Sequence, residues 1–470
     1  MNNKKKVIIL GAGVAGLAMG YFLCRRGQYD VTVLEKSPAA GGLCASFQHN
    51  GFTLDYGAHK LYSAIPGILD EIRALMGDRL IRVSKRNRIF LQNHLLDYPL
   101  KFGNLFTALG PLTFLRLGAG YGVSLAQGLM NHHPPRSYAE YMTKCFGRPT
   151  YQLIFEPLAE KVWGDPEGLH PELARTRVPT SNGLDLILKL LGMKKESADT
   201  NAEFFYYPRR GFGDFPQKLK EEIDARGGRV VTGATIDAFG MKDAGVETVH
   251  ATIGGSRHSF KCDYLISTIP LPALSRLVSR ESASHAADDL QFRHLILVYL
   301  FVKQPFVLED QWIFFPEREF LFSRVFEQKR MNPELGPRGE TAICCDFTCS
   351  PGSWAWEADD EDLAKRCVTV LKVSGFIRPD AVKGFLVKKV PQFYPRYDLQ
   401  YPEKMRRTAA ELKRVENLLL TGRLGMYNYN NSDHCFDMAR FISEKLQAGM
   451  MPREIWSGLE ERVKSYKIVD

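Results

Sequence analysis

One short stretch near the N-terminus constrains this chain more than any other. Val7-Ile8-Ile9-Leu10 is an apolar run suited to a strand buried on both faces, and Gly11-Ala12-Gly13-Val14-Ala15-Gly16 follows it directly, opening a helix that runs to Arg26. Gly11 makes the tight turn, Gly13 lets backbone N–H groups approach a pyrophosphate at the positive helix end, and Gly16 lets helix and strand pack closely. A second strand, Val31 to Leu34, ends at Glu35, whose carboxylate is placed to accept hydrogen bonds from ribose hydroxyls. Strand, glycines, helix, strand and acid in that order predict a Rossmann-like βαβ unit holding a dinucleotide. Gly11, Gly13, Ala15, Gly16, Glu35, Lys36 and, from a later strand, Val231 are its expected contacts.

Which dinucleotide is bound turns on Ala40-Gly41-Gly42-Leu43, which follows the acid closely. This segment resembles the double glycine of the glutathione-reductase-like flavoproteins and the amine oxidase superfamily, where it keeps side chains clear of the pyrophosphate and flavin. The resemblance implies FAD rather than NAD, with Gly42 and Leu43 beside it. No second GxGxxG follows an apolar strand, so a dedicated nicotinamide domain is not expected.

At 470 residues the chain exceeds what one core supports, so two or three interleaved domains are expected. The formal charge of +9 is a modest excess whose basic residues are scattered, which argues against nucleic acid and for a small anionic substrate or a membrane surface. Nine cysteines form no CxxC pair and no zinc spacing, so they read as reduced thiols of a cytoplasmic protein with no metal centre. Cys44 beside the flavin loop reads as a packing residue. Lys4-Lys5-Lys6 before an apolar run lacks a following cleavage site, and no stretch of eighteen apolar residues exists to span a bilayer.

The pattern along the chain predicts helices near 66–77, 138–147, 214–226 and 434–448. Strands are expected at 229–238, 247–253 and 258–268, with Asp263 to Thr268 returning to the nucleotide sheet. The fold class is α/β: a discontinuous FAD-binding domain of glutathione-reductase type from 1–60, 205–270 and 396–470, and a discontinuous α+β substrate domain with a helical part from 61–204 and 271–395. Residues 102–131 are apolar and glycine-rich. They read as core helices of that second domain, or as a surface that touches the inner face of a membrane peripherally.

Motifs over nearly the whole chain resemble the amine oxidase superfamily, and within it the protoporphyrinogen-oxidase-like proteins and UDP-galactopyranose mutases. Leu54-Asp55-Tyr56-Gly57-Ala58-His59 resembles the segment that carries a glycine and a histidine onto the flavin face. Glu160-Lys161-Val162-Trp163-Gly164 resembles the mutase signature, and Tyr207-Pro208-Arg209-Arg210-Gly211-Phe212-Gly213 the tyrosine-proline turn before a helix. Gly422-Arg423-Leu424-Gly425-Met426-Tyr427-Asn428-Tyr429-Asn430-Asn431 resembles the loop that cradles the flavin, where a fixed cation can stabilise a reduced ring.

The resemblance implies cofactor contacts from Gly57, Ala58, His59, Gly422, Arg423, Tyr429, Asn430 and Asn431. It implies catalytic roles for His59, Arg324, Arg423, Tyr394 and Tyr429, and substrate contacts from Tyr98, Lys101, Trp163, Tyr207, Arg324, Tyr394 and Tyr429. An arginine with two phenols suits a diphosphate. Lys101 stands where the eukaryotic mutases have a glutamine that pairs with uracil, and a lysine can only donate. Two reactions are implied: a redox-neutral rearrangement of a nucleotide-linked sugar in which reduced flavin is the nucleophile, or oxidation of a small or hydrophobic substrate by oxidised flavin. An FAD-binding scaffold without turnover is the third alternative. Oligomeric state is not encoded in any of these motifs.

Overall fold

A computed structural model describes residues 4–98, 102–130, 133–177, 203–279, 285–466 and 468. Its organising element is a five-stranded parallel sheet in the spatial order Leu418–Leu420, Tyr264–Ser267, Lys5–Leu10, Tyr29–Leu34, Arg229–Val231. These strands are short and almost wholly apolar because both faces are covered, as parallel sheets require. The helix Val14–Arg26 joins the two central strands and is buried through Cys24, packed under the helices Ser432–Gln447 and Asp214–Ala225.

Two predicted strands are each divided in two. The stretch 229–238 becomes Arg229–Val231 in the parallel sheet and Ala234–Lys242 in a three-stranded antiparallel meander, separated by a turn at Gly233. Likewise 258–268 becomes Ser256–Lys261 in the meander and Tyr264–Ser267 in the parallel sheet. One continuous apolar alternation serves two sheets, and periodicity alone does not mark the crossing. The four predicted helices are found at Ile68–Met76, Tyr138–Phe146, Asp214–Ala225 and Ser432–Gln447.

A second sheet has seven strands in the order Val382–Pro395, Phe292–Val302, Thr341–Cys349, Arg324–Glu327, Trp312–Phe314, Asn87–Leu91, His94–Asp97. Its second and third strands, Phe292–Val302 and Thr341–Cys349, are buried along their whole length, so one face meets the nucleotide-binding core and the other the helix Asp360–Val373. Helix Phe102–Met130 packs beside the His94–Asp97 edge and bends at Gly110, whose backbone leaves helical geometry (φ 75°, ψ 165°) just before Pro111. No helix among the described residues is long and apolar enough to cross a membrane.

Candidate active site

The nucleotide end of the site is built by close backbone approach. A Cβ on Gly16 would lie 1.9 Å from the Gly11 carbonyl oxygen, so helix and first strand can touch only through glycine. Gly42, at φ +56°, sits so near Gly13 that its Cβ would be 3.1 Å from the Gly13 Cα, leaving the positive end of the helix Val14–Arg26 open to a pyrophosphate. Ala15 lies against Gly422 at the same helix start. Glu35 accepts from the backbone N–H of Ala12 (2.7 Å) and of Ser37 (2.8 Å), and its own N–H donates to the Val231 carbonyl (2.9 Å). The carboxylate is thereby fixed at the end of the strand, with lone pairs left for ribose hydroxyls. Lys36 is exposed beside it.

The flavin end converges on His59. Its Nε2 is shut off from solvent and has no hydrogen-bond partner among the described residues, its ring stacks on Phe212 at 4.7 Å, and Gly57 passes close by. Burial pulls its pKa down to about 3, with the Arg324 and Arg423 guanidiniums adding to the fall and backbone groups at Leu43 and Tyr56 opposing it. His59 is therefore a neutral imidazole at physiological pH.

Arg423 donates from Nε (3.2 Å) and a terminal nitrogen (2.7 Å) to the Asn430 carbonyl, and lies over the rings of Tyr394 (5.4 Å) and Phe393 (5.6 Å). Tyr394 in turn stacks on Tyr429 at 5.5 Å, and the Tyr429 hydroxyl donates to the Pro395 carbonyl (2.6 Å). Arg324 donates from Nε to the buried Asp346 carboxylate (2.7 Å), its register partner on the adjacent strand. Tyr98 packs on Phe314 at 5.4 Å, and Phe314 is the strand neighbour of Arg324, so Tyr98 stands one strand away from that arginine.

Several expected contacts are placed differently. Tyr207 is fully buried: its hydroxyl donates to Asp55 and accepts from Gln328 (2.9 Å), so it is a structural member of the core and not a substrate ligand. Asn431 caps the helix Ser432–Gln447, its side chain accepting from the helix backbone while its N–H donates to His434 Nδ1. The amide of Asn430 is used within its own loop, donating to Asn428 (2.6 Å) and accepting from the Cys435 thiol (3.3 Å). Trp163 ends the helix Glu156–Trp163 against Tyr138, in the same core cluster as Tyr429. Lys101 lies outside the described residues. Burial pushes the Cys44 thiol up to about 12, which fits packing and not redox chemistry.

Asp346 escapes the sequence reading altogether, and Asp55 and Lys161 carry no role in it, although both lie within motifs singled out there. Asp346 neutralises much of the charge of Arg324, and no local motif marks it. Asp55 is buried behind the His59 segment, accepting from the Ser46 and Tyr207 hydroxyls and the Phe212 N–H (3.1 Å); burial raises its carboxyl to about 6. It lies inside the very motif that points to His59, and a buried acid two residues before a Gly-Ala-His turn was the available signal. Lys161 donates to the carbonyls of Phe315 (2.7 Å) and Phe322 (3.2 Å), tying down the loop that leads into Arg324.

A family model described as flavin containing amine oxidoreductase matches residues 14–429. The chain belongs to this family. Its cofactor is FAD, and the protein is an FAD-dependent enzyme. Among solved structures, a reduced UDP-galactopyranose mutase superposes with TM-score 0.82 at 20% identity, covering 98% of this chain and 99% of that one. Cyclohexylamine oxidase from Brevibacterium oxydans gives TM-score 0.65 at 14% identity, covering 95% and 100%. Both likenesses show the fold. Among curated proteins, protoporphyrinogen oxidase 2 of Arabidopsis thaliana is 36% identical over 19% of this chain and 18% of its own length. Coproporphyrinogen III oxidase of Staphylococcus aureus is 26% identical over 34% of this chain and 36% of its own length. The chain thus spans well under half the length of these curated relatives.

The residues present fit FAD. The glycine contacts leave room for a pyrophosphate, Glu35 is poised for a ribose, and the orphaned Nε2 of His59 with the Arg423 guanidinium fits the polar rim of a flavin.

Proposed function

We propose that this enzyme binds a substrate carrying a diphosphate-type anionic group beside the flavin, and that it rearranges a nucleotide-linked sugar without net redox change. The observation that carries this reading is a cluster of cation and phenols: Arg423 lies over the Tyr394 ring at 5.4 Å and Tyr394 stacks on Tyr429, and the guanidiniums of Arg423 and Arg324 both help to lower the pKa of the buried His59. Arg423 is fixed by hydrogen bonds to a neutral carbonyl, so its charge is available to an anionic group that arrives with a ligand, while Arg324 is largely compensated by Asp346.

FAD supplies a ring nitrogen that takes up hydride when oxidised and is nucleophilic when reduced. The protein's own groups orient and stabilise. Arg423, locked on the Asn430 carbonyl, presents a fixed cation that favours an anionic ring. Neutral His59 offers Nε2 as a hydrogen-bond partner without adding charge, and Arg324, oriented by Asp346, adds a second guanidinium near it. Tyr429 stacks on the ring of Tyr394 and donates its hydroxyl to the Pro395 carbonyl, which fixes the pair of phenols beside Arg423. The near-complete overlap with a mutase fold supports this reading.

A second reading, oxidation of an apolar substrate, is favoured by the largely apolar exposed face of helix Phe102–Met130, on which Leu112, Leu115 and Val123 stand out. The two are separated by incubating the oxidised and the dithionite-reduced protein anaerobically with a panel of nucleotide-linked hexoses. An isomerised product formed only by the reduced protein supports the mutase reading. No isomer from any of them, together with flavin bleaching by an apolar substrate, sinks it.

A further inference from the structure

Residues 102–131 read from the sequence either as core helices or as a peripheral membrane-touching surface, and the described helix Phe102–Met130 has one packed face and one exposed face. One face is held firmly to the protein. A Cβ on Gly120 would lie 2.3 Å from Pro149 Cδ, and the Ser124 hydroxyl donates to the carbonyls of Thr143 and Lys144, both at 3.0 Å. Leu109, Phe114 and Leu117 pack onto Ile89, Leu91 and Leu96 at the edge of the seven-stranded sheet. The opposite face points outward and is apolar. Leu112 is 83% exposed, Leu115 67%, Val123 56% and Phe106 49%, with Ala119 and Gly122 exposed between them at helical spacing.

Within the whole 29-residue helix the only charged residue is Arg116. A solvated helix face ordinarily carries many charges. Apolar side chains this exposed, contiguous and fixed from behind mark a surface that is covered in use.

The charges around this face identify its occupant. From 102 to 150 the sequence holds four basic residues, Arg116, Arg136, Lys144 and Arg148, against one carboxylate, Glu140, whereas the whole chain has 62 basic against 53 acidic residues. All four cations are exposed. An exposed apolar helix face carrying Arg116, in a stretch of chain with a basic excess, matches an anionic bilayer, where leucines enter the acyl boundary and arginines and lysines meet phosphate head groups. A second copy of the chain fits less well, because an isologous contact would bring the same cations against each other. The helix bends at Gly110 and so can lie along an interface. We infer that helix Phe102–Met130 docks this enzyme onto anionic membrane surfaces. The docked helix shares a packing cluster with Tyr98 and Phe314, the strand neighbour of Arg324.

The test uses the FAD-loaded protein and flotation with lipid vesicles of phosphatidylcholine alone or with about 30% phosphatidylglycerol. The parent is expected to float with the anionic vesicles at least tenfold more than with neutral ones, and less in high salt. Leu112→Glu with Leu115→Glu, at positions too exposed to affect folding, is expected to abolish flotation while the flavin spectrum and melting temperature stay unchanged. Lys144→Glu with Arg148→Glu is expected to weaken binding to anionic vesicles several-fold and serves as the second variant if the first fails to fold. Absence of parental binding to anionic vesicles, or equal binding by the leucine variant, overturns the inference. So does a concentration-dependent dimer that the leucine variant abolishes, since the face would then be a self-interface.

Discussion

Replacing Arg324 with methionine removes the cation that compensates Asp346 and leaves a similar apolar stem. The Asp346 side chain is 5% exposed and that of Arg324 23%, so the pair lies between a surface ion pair and a buried one. Surface pairs are worth about 0–1 kcal/mol, whereas removing one partner of a buried pair costs about 3–5 kcal/mol. Because the carboxylate is the buried member and its remaining side-chain contact, from the Ser323 hydroxyl, is long at 3.5 Å, a loss of about 3 kcal/mol near neutral pH is expected.

The loss carries a pH signature. Burial already raises the Asp346 carboxyl above its ordinary value, with Arg324 pulling it back, so methionine lets it rise further. A carboxyl whose folded pKa exceeds its unfolded one costs stability as pH climbs from the unfolded value through the folded value. The deficit of Arg324→Met is therefore smaller at about pH 5 than at about pH 8. Urea denaturation of parent and variant at both pH values measures it, and Arg324→Met with Asp346→Leu should recover most of the loss. A deficit below about 1 kcal/mol that does not change with pH would refute the reasoning, since Asp346 would then not depend on Arg324.

Gly42→Val places a branched side chain at φ +56° and 3.1 Å from the Gly13 Cα, so the protein should purify folded but without its yellow colour; retained FAD would show that the close approach is not used. Arg423→Met strips the Asn430 carbonyl of both donors and removes a fixed cation, so the two-electron midpoint potential should fall by roughly 30–60 mV, equivalent to about 1.4–3 kcal/mol, as read by spectroelectrochemical titration. Burial lowers Lys161 from 10.5 to about 7, so the unfolded chain binds more protons between those values and the parent gains stability as pH rises across them; Lys161→Met should flatten that rise in a thermal-melt series.

What was legible in the sequence was local. The βαβ unit could be read because turn, phosphate approach, helix and ribose acid follow one another within Val7 to Glu35, and each glycine has a steric reason to be there. The tight Gly-Arg turn around Arg423 was legible for the same reason, although the asparagines after it serve the loop and the helix cap. Pairings made by the sheets were not legible. Arg324 meets Asp346 only because antiparallel strands 22 residues apart fall into register, and Tyr207 reaches Asp55 and Gln328 only across three separate elements. The outward face of 102–130 was ambiguous because composition cannot say which side of an apolar helix finds the core; the close contact at Gly120 and the bend at Gly110 decide it.

The central claim is that the site beside the flavin binds an anionic, diphosphate-type group, and ligand binding in defined redox states tests it most directly. Purified FAD-loaded protein is titrated anaerobically with UDP, GDP, CDP and dTDP, oxidised and reduced, while the flavin spectrum is followed. At least one nucleotide is expected to perturb the spectrum, more strongly in the reduced state, and to lose about 1.5–3 kcal/mol of binding in Arg324→Ala. No perturbation by any of the four in either state would contradict the account and leave an oxidase of apolar substrates in its place.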